Sequence, residues 1–176
     1  MCALANSGEY PPGGRAAGIR YGFDMEFKTR RYQPSDFERL IEIIRTHLHD
    51  EVVAHIGPWE QSEAMLCEAI PSSAERIRVT EIAGEVVAFV WTQLADEYLL
   101  LEEIHVVAHA RSRGLGRLLL EAVEEEARAE NLAEVRLTVF KTSPAVAFYQ
   151  QAGYEIVSET ERNQFRMRKR LSVEDA

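Results

Sequence analysis

Three arginines and two glycines cluster at residues 111–117, in the segment RSRGLGR. The segment follows the apolar run YLLLEEIHVV and precedes the longest leucine-rich pattern, so it lies where a strand gives way to a helix. Free backbone N–H groups and the positive end of the helix dipole collect at such a turn. Glycines remove the Cβ atoms that would hold a phosphate away, and arginines add charge-assisted hydrogen bonds. The segment therefore predicts a phosphate or pyrophosphate site, although a water-exposed turn also explains the glycine spacing.

Two adjacent acids, Glu102 and Glu103, interrupt the apolar run that precedes this segment. A carboxylate is costly in a central strand unless it is used, and alternation of side chains lets only one of the two face a given site. Either acid is a candidate general base, His105 is a third, and two acids at a strand end that face solvent are the alternative.

Length and composition describe one globular domain. The chain has 176 residues, of which 46% are apolar and 28% charged, and no apolar run approaches the ~18 residues of a membrane span. The N-terminus lacks the apolar stretch of a signal peptide, and Cys2 and Cys67 are too few for a disulfide framework. We therefore expect a cytoplasmic protein with no membrane partner. The net charge of −9 argues against a nucleic-acid partner.

The chain divides into three segments. Residues 1–24 are rich in proline and glycine and predict a flexible leader, and Met25, which opens the patterned sequence, is a candidate natural start. Residues 25–171 are expected to form a single domain, and residues 172–176 a short tail.

Strand and helix periods alternate from residue 25 onward. A strand, MEFKTRRY, precedes a helix, PSDFERLIEIIRTHL, for which Ser35 and Glu38 predict a capping box. A second helix, PWEQSEAMLCEAI, is followed by a hairpin that turns at Gly84 and by the strand YLLLEEIHVV. The longest helix runs from Leu115 to about Glu130, and then come EVRLTVF, the helix SPAVAFYQQA, YEIVSE and QFRMRKR. The order β-α-α-β-β-β-α-β-α-β-β predicts an α/β fold with one mixed sheet and helices on its faces.

Two segments together resemble the GNAT superfamily of N-acetyltransferases. RSRGLG fits the family motif Q/R-x-x-G-x-G/A between a strand and a long helix, and KTSPAVAFYQQAGYE is similar to its second signature. The resemblance covers about residues 25–171 and implies the GNAT-like acyl-CoA N-acyltransferase fold with acetyl-CoA as co-substrate. It also implies that the pyrophosphate lies on the glycine segment and the pantetheine arm along the preceding strand. The implied cofactor-binding residues are Ile104, His105, Val106, Arg111, Ser112, Arg113, Gly114, Leu115, Gly116, Arg117 and Thr142.

The resemblance also implies the catalytic groups. Tyr149 stands where the family has the tyrosine that protonates the departing thiolate, and a phenol of pKa ~10 is protonated at neutral pH. A core aromatic beside Phe148 is the alternative. The strand YLLLEEIHVV resembles that of polyamine-type acetyltransferases, which maps the base, acting through water, to Glu102. Glu103 is then expected to contact the substrate.

The segment RTHLHDEVVAHIGPWE is expected to lie between the first two helices, beside the acceptor site. Trp59 is a candidate for lining the acceptor pocket, although a hydrophobic staple explains it equally well. The histidines of this segment do not share one helical face, and no HExxH supports them, so no metal is expected.

Three functions remain open. The favoured one is acetyl transfer from acetyl-CoA to a primary amine of a small molecule. A protein N-terminal or lysine acetyltransferase would need an open cleft between the early helices and the last hairpin. A non-catalytic acyl-CoA sensor is the third, and a homodimer is left open.

Overall fold

The computed structural model describes residues 27–171. The predicted leader and the predicted tail lie outside these residues. Seven strands and four α-helices follow one another in the predicted order, with short 3₁₀ turns at Pro34–Asp36, Ala74–Arg76 and Ala108–Ala110. The elements are β1 (Phe27–Arg31), α1 (Phe37–His55), α2 (Trp59–Ser72), β2 (Ile77–Ile82), β3 (Glu85–Leu94), β4 (Leu99–Val106), α3 (Leu115–Ala129), β5 (Glu134–Phe140), α4 (Ala145–Gln151), β6 (Glu155–Glu159) and β7 (Gln164–Arg170).

The seven strands form one mixed sheet in the order β1-β2-β3-β4-β5-β7-β6. Every neighbouring pair is antiparallel except β4 and β5, which are parallel. Pairing of β4 with β5 is confined to residues 99–101 of β4 and 135–137 of β5. Beyond Leu101 the two strands separate, so the β5-facing edge of residues 102–106 has backbone groups that the sheet does not satisfy.

Two apolar clusters cover the two faces of the sheet. The amphipathic helix α3 buries Leu119, Leu120 and Val123 on one face, where α4 adds Tyr149. The other face is covered by α1, whose Leu40 and Ile44 are almost inaccessible to solvent, and by α2. The sheet is therefore a buried central layer, and its opening between β4 and β5 has helices on both sides.

Several local predictions are confirmed. The hairpin turns at Ala83 and Gly84, both of which have positive φ, as a two-residue turn requires. Helix α3 begins at Leu115 and ends one residue before the predicted limit. Helix α4 differs slightly from its prediction: Ser143 was expected as the cap and Pro144 as the first helical residue, but the helix begins at Ala145, although Ser143 Oγ accepts a hydrogen bond from the Ala145 N–H at 3.2 Å.

Two predictions about the first helix are wrong. The proposed capping box of Ser35 and Glu38 does not form, because the chain makes a 3₁₀ turn first and the Asp36 carboxylate accepts the Gln33 N–H at 2.7 Å. That carboxylate also receives two hydrogen bonds from Arg30, which hold the pKa of Asp36 below its ordinary value.

The helix is also longer than predicted. Helix α1 continues to His55, so only residues 56–58 separate it from α2. The polar stretch HDEVVAH forms its last turns instead of a loop, because no glycine or proline stops the helix before Gly57. None of the helices between residues 27 and 171 is both long and apolar enough to span a bilayer.

Candidate active site

A β-bulge in β4 decides which of its side chains face α1. Trp91 of β3 pairs with Glu103, but its neighbour Thr92 pairs with Leu101, so Glu102 is the extra residue. Before the bulge, Leu101 packs into the α3 cluster. After it, His105 contacts the ring of Phe89 on the α1 face. The bulge thus reverses the alternation and brings Glu103 and His105 to the face covered by α1, as bulges beside active sites commonly do.

The predicted phosphate segment forms a loop that ends in the first turn of α3. Ser112 and Gly114 have φ of 61° and 77°, and Arg113 between them does not share the positive sign. Alternating signs of φ turn successive N–H groups toward one concavity, which is an anion-binding arrangement. Leu118 N–H is bonded to Gly114 O at 3.1 Å, so the N–H groups of residues 115–117 precede the helical hydrogen-bond ladder.

The two glycines of the loop differ in the space beside them. A Cβ on Gly114 would meet no atom within 4 Å, and one on Gly116 would meet only Phe148 and Val106 at 3.7 Å or more. Protein packing therefore does not require Gly116 to lack a side chain. The open space beside Gly114 fits a phosphate bound at the N–H groups of residues 115–117.

Tyr149 is buried on α4 between the rings of Phe148 and Tyr154, at centroid distances of 5.3 Å and 5.7 Å. Burial raises the pKa of its phenol well above 10, and the nearby Glu103 charge raises it further. Within residues 27–171 its hydroxyl makes no hydrogen bond, so the proton is both retained and uncommitted. Tyr149 is part of the core, as the alternative interpretation held, and the charge of Glu103 acts on its phenol.

The two adjacent glutamates differ in their surroundings. Glu102 reaches solvent, yet partial withdrawal from water and the charge of Glu103 raise the pKa of its carboxyl. Within the described part of the chain, Glu102 has no hydrogen-bond partner. Glu103 is mostly buried, and its Oε2 lies 2.6 Å from His105 Nε2. The Glu102 carboxylate is therefore free to take a proton, whereas the Glu103 carboxylate is held in place by His105.

A row of side chains connects Glu103 with the phosphate loop. His105 Nδ1 lies 2.9 Å from His47 Nδ1 on α1, and the two rings stack with centroids 5.1 Å apart. Arg111 Nη2 donates to His47 Nε2 at 2.8 Å, and Arg111 Nε donates to Val106 O at 2.8 Å. Arg111 thus binds β4 and α1 in this structure, and its predicted contact with pyrophosphate stays a prediction.

Two hydrogen bonds join the C-terminal half of α1 to the other side of the sheet opening. Thr142 Oγ1 donates to Glu51 Oε1 at 2.6 Å, and Asn163 Nδ2 lies 3.1 Å from His55 Nε2. These contacts connect α1 with the loop before α4 and with the β6–β7 turn. The predicted pantetheine contact of Thr142 stays a prediction.

The remaining predicted site residues are positioned as follows. Trp59 is buried, and its indole N–H donates to Glu63 at 2.8 Å, so its role toward substrate also stays a prediction. Arg117 pairs with Glu121 on the exposed face of α3. Among residues 27–171, no group of three or more acidic, histidine or cysteine side chains is arranged to hold a metal ion.

A mixed sheet that opens beside a glycine loop and a helix N-terminus is the architecture of acyl-coenzyme A-dependent acyltransferases. The sequence from residue 37 to residue 154 matches the Acetyltransferase (GNAT) family, and the chain belongs to this family. It is an acyltransferase with acetyl-CoA as its co-substrate. The unsatisfied β4 edge, the open space at Gly114 and the N–H groups of residues 115–117 fit the pantetheine arm and the pyrophosphate of this co-substrate. Compared with curated proteins by sequence, the chain has no significant match.

Solved structures support the fold. The PaiA N-acetyltransferase from Thermoplasma acidophilum, in complex with coenzyme A, aligns with a TM-score of 0.69 at 20% identity over 84% of this chain and 100% of that chain. The ribosomal-protein-S18-alanine N-acetyltransferase from Escherichia coli aligns with a TM-score of 0.63 at 21% identity over 85% of this chain and 98% of that chain. N-acetylglutamate synthase from Neisseria gonorrhoeae aligns with a TM-score of 0.68 at 14% identity over 87% of this chain and 36% of that chain.

Sequence reasoning did not select His47 for this site. It is separated by 58 residues from His105 and by 64 from Arg111, and no local motif connects them. Only the packing of α1 against the bulged half of β4 brings the three side chains together. The spacing of residues in the sequence could identify the histidines of α1, but not the contacts of His47 with His105 and Arg111.

Proposed function

We propose that this chain transfers the acetyl group of acetyl-CoA to a primary amine of a small cationic molecule. The observation that carries the proposal is the connection of α1 to the opposite side of the opening through Glu51–Thr142 and His55–Asn163. An extended peptide would have to pass between these elements, whereas a small molecule would not. Glu102 and Glu103 supply carboxylates that attract a protonated amine.

Acetyl-CoA supplies a thioester whose carbonyl carbon accepts the amine nitrogen. Residues 104–106 offer backbone groups to its pantetheine arm, and residues 111–117 offer N–H groups and arginines to its pyrophosphate. Glu103, held by His105, binds the ammonium form of the acceptor.

Two groups then move protons. Glu102, whose raised pKa and lack of partners support a base role, removes the amine proton through water. Tyr149, whose raised pKa keeps it protonated at neutral pH, donates the proton of Oη to the sulfur as the carbon–sulfur bond of the thioester breaks. The exposed free thiol of Cys67 is compatible with the reducing, cytoplasmic compartment that we also propose.

A panel of acceptors tests this proposal. The full-length protein would be given acetyl-CoA with 1,4-diaminobutane, L-lysine, L-glutamate or a decapeptide with a free N-terminus and one internal lysine, while released coenzyme A is followed with a thiol reagent. We expect kcat/KM to be higher for the small cationic amines than for the decapeptide by about tenfold or more, which is 1.4 kcal/mol. A preference for the peptide would establish a protein acetyltransferase instead. Tight acetyl-CoA binding without turnover of any amine would favour a sensor.

A further inference from the structure

Hydrogen-bonding capacity assigns one direction to the row Arg111–His47–His105–Glu103. A guanidinium has no acceptor, so His47 Nε2 accepts from Arg111 and the proton of this imidazole is on Nδ1. That N–H donates to His105 Nδ1, so the proton of His105 is on Nε2 and is donated to Glu103. Both tautomers are thus assigned from their partners. Arg111 can only donate and the Glu103 carboxylate can only accept. No other placement of the two imidazole protons therefore keeps the Arg111–His47, His47–His105 and His105–Glu103 hydrogen bonds.

An added proton would break this row. If His105 gained a proton, its Nδ1–H would face the Nδ1–H of His47. His47 could resolve that conflict only by moving its own proton to Nε2, where it would face the donor Arg111. The row is therefore complete only when both imidazoles are neutral.

The groups that face His47 favour the neutral ring. Partial burial lowers the pKa of His47 to about 4, and the Arg111 charge and any protonation of His105 act in the same direction. Glu51, one turn further along α1, is bonded to Thr142 at 2.6 Å. His105 is itself enclosed by Phe89, His47 and Glu103. His47 thus remains neutral across ordinary assay conditions.

We propose that His47 is a positioning residue for the acceptor amine: it fixes the tautomer of His105, and His105 in turn holds the Glu103 carboxylate in the orientation that receives the ammonium group. Arg111, bound to His47 and to Val106 O, connects this arrangement to the cofactor loop. The role of Glu103 rests on the proposed function, while the hydrogen-bond direction does not.

Two substitutions separate the contacts of His47. The amide of Asn in His47→Asn occupies the position of Nδ1, so it keeps a donor for His105 and loses the acceptor for Arg111. The longer side chain in His47→Gln reaches the position of Nε2, so it keeps the acceptor and loses the donor. We expect His47→Gln to raise KM for the panel amine of highest turnover by about tenfold, the size of one lost hydrogen bond, with little change in kcat. His47→Asn should keep KM close to that of the wild type.

His49→Gln is the matched control. His49 lies on the same helix and is exposed, and among the described residues its ring contacts Asp50 and Trp59 but no member of the row, so its substitution should leave KM unchanged. Adding His47→Gln to Glu103→Gln should raise KM no further than Glu103→Gln alone, because both changes remove the same contact. Additive effects, or equal effects of His47→Asn and His47→Gln, would overturn the proposal.

A measurement without turnover tests the row directly. Long-range ¹H–¹⁵N spectra of the imidazoles distinguish protons on Nδ1 and Nε2, and we expect Nδ1–H for His47 and Nε2–H for His105. The His105 pattern should persist in His47→Asn and change in His47→Gln, and the opposite result would overturn the proposal. If Glu103→Gln leaves KM unchanged, the acceptor role given to Glu103 fails. If it raises KM and His47→Gln does not, only the role given to His47 fails.

Discussion

Residues 99–101 of β4 hydrogen-bond to β3 on one side and to β5 on the other, whereas residues 103–106 pair with β3 alone and Glu102 is the unpaired residue of the bulge. The first part buries Leu99 and Leu101 against α3. The second part begins with a bulge and presents Glu102, Glu103 and His105. Residues 99–101 of this strand therefore contribute to stability, whereas residues 102–106 present the candidate site side chains. The backbone of the strand is fully paired where the side chains are apolar, and open where a ligand can complete the hydrogen bonds.

The contrast between these two parts can be tested by substitutions that affect stability or turnover but not both. A change at the open part should lower turnover in a protein that stays folded. A change at the paired part should lower the free energy of unfolding and leave the folded protein active.

The largest expected effect concerns Tyr149, on whose phenol the charge of Glu103 in the open part acts. Tyr149→Phe keeps the ring between Phe148 and Tyr154 but removes the proton donor. General acid catalysis contributes about 10²–10⁴-fold, so kcat should fall within that range. The melting temperature should barely change, because the hydroxyl has no hydrogen-bond partner among residues 27–171. Calorimetry should find nearly unchanged acetyl-CoA affinity, since one neutral hydrogen bond contributes about 1 kcal/mol.

The opposite pattern would mark a purely structural tyrosine. Near-normal turnover of Tyr149→Phe with a clear loss of stability would remove the acid assignment, and the sensor interpretation would gain support.

A substitution in the paired part should have the next largest effect, on stability. Leu99 is inaccessible to solvent, and truncation of a buried leucine costs about 2–5 kcal/mol. Leu99→Ala should therefore lower the free energy of unfolding in a urea titration by that amount. Turnover per folded molecule at a temperature well below the transition should remain close to that of the wild type. A selective loss of kcat without loss of stability would show that the two parts of β4 are not functionally separate.

Sequence periodicity predicted the elements on both sides of this contrast. Alternation and helical spacing are local properties, so the hairpin at Gly84 and the start of α3 at Leu115 could be read from neighbouring residues. The end of α1 was harder to read: no glycine or proline precedes Gly57, but its last turns are polar, and the contacts of Glu51 with Thr142 and of His55 with Asn163 that support them are distant in sequence.

The site was predicted less completely than the fold. The motif resemblance selected Tyr149 and the glycine loop, and the structure gives both surroundings that are compatible with those roles. The bulge at Glu102 was not predictable, because it is a property of the register between two strands. Without the bulge, Glu103 and His105 would face α3, and His47 would have no partner on β4.

The smallest of the three expected effects belongs to Glu102, since a base that acts through water is replaced in part by the solvent itself. Glu102→Gln should lower kcat about 10²-fold near neutral pH, at the lower end of general acid–base effects. The loss should shrink as pH rises toward the amine pKa of ~10, where the acceptor loses its proton unaided.

In the wild type, kcat should fall as pH drops through the raised pKa of Glu102. Because the folded protein binds this proton more tightly than the unfolded chain does, ionised Glu102 opposes folding above that pKa. Glu102→Gln should therefore keep or slightly raise the melting temperature at neutral pH, which separates lost chemistry from lost structure. A kcat equal to that of the wild type from pH 6 to pH 9 would assign the base to another group beside the open part of β4, and Glu103, already oriented by His105, would be the next to substitute.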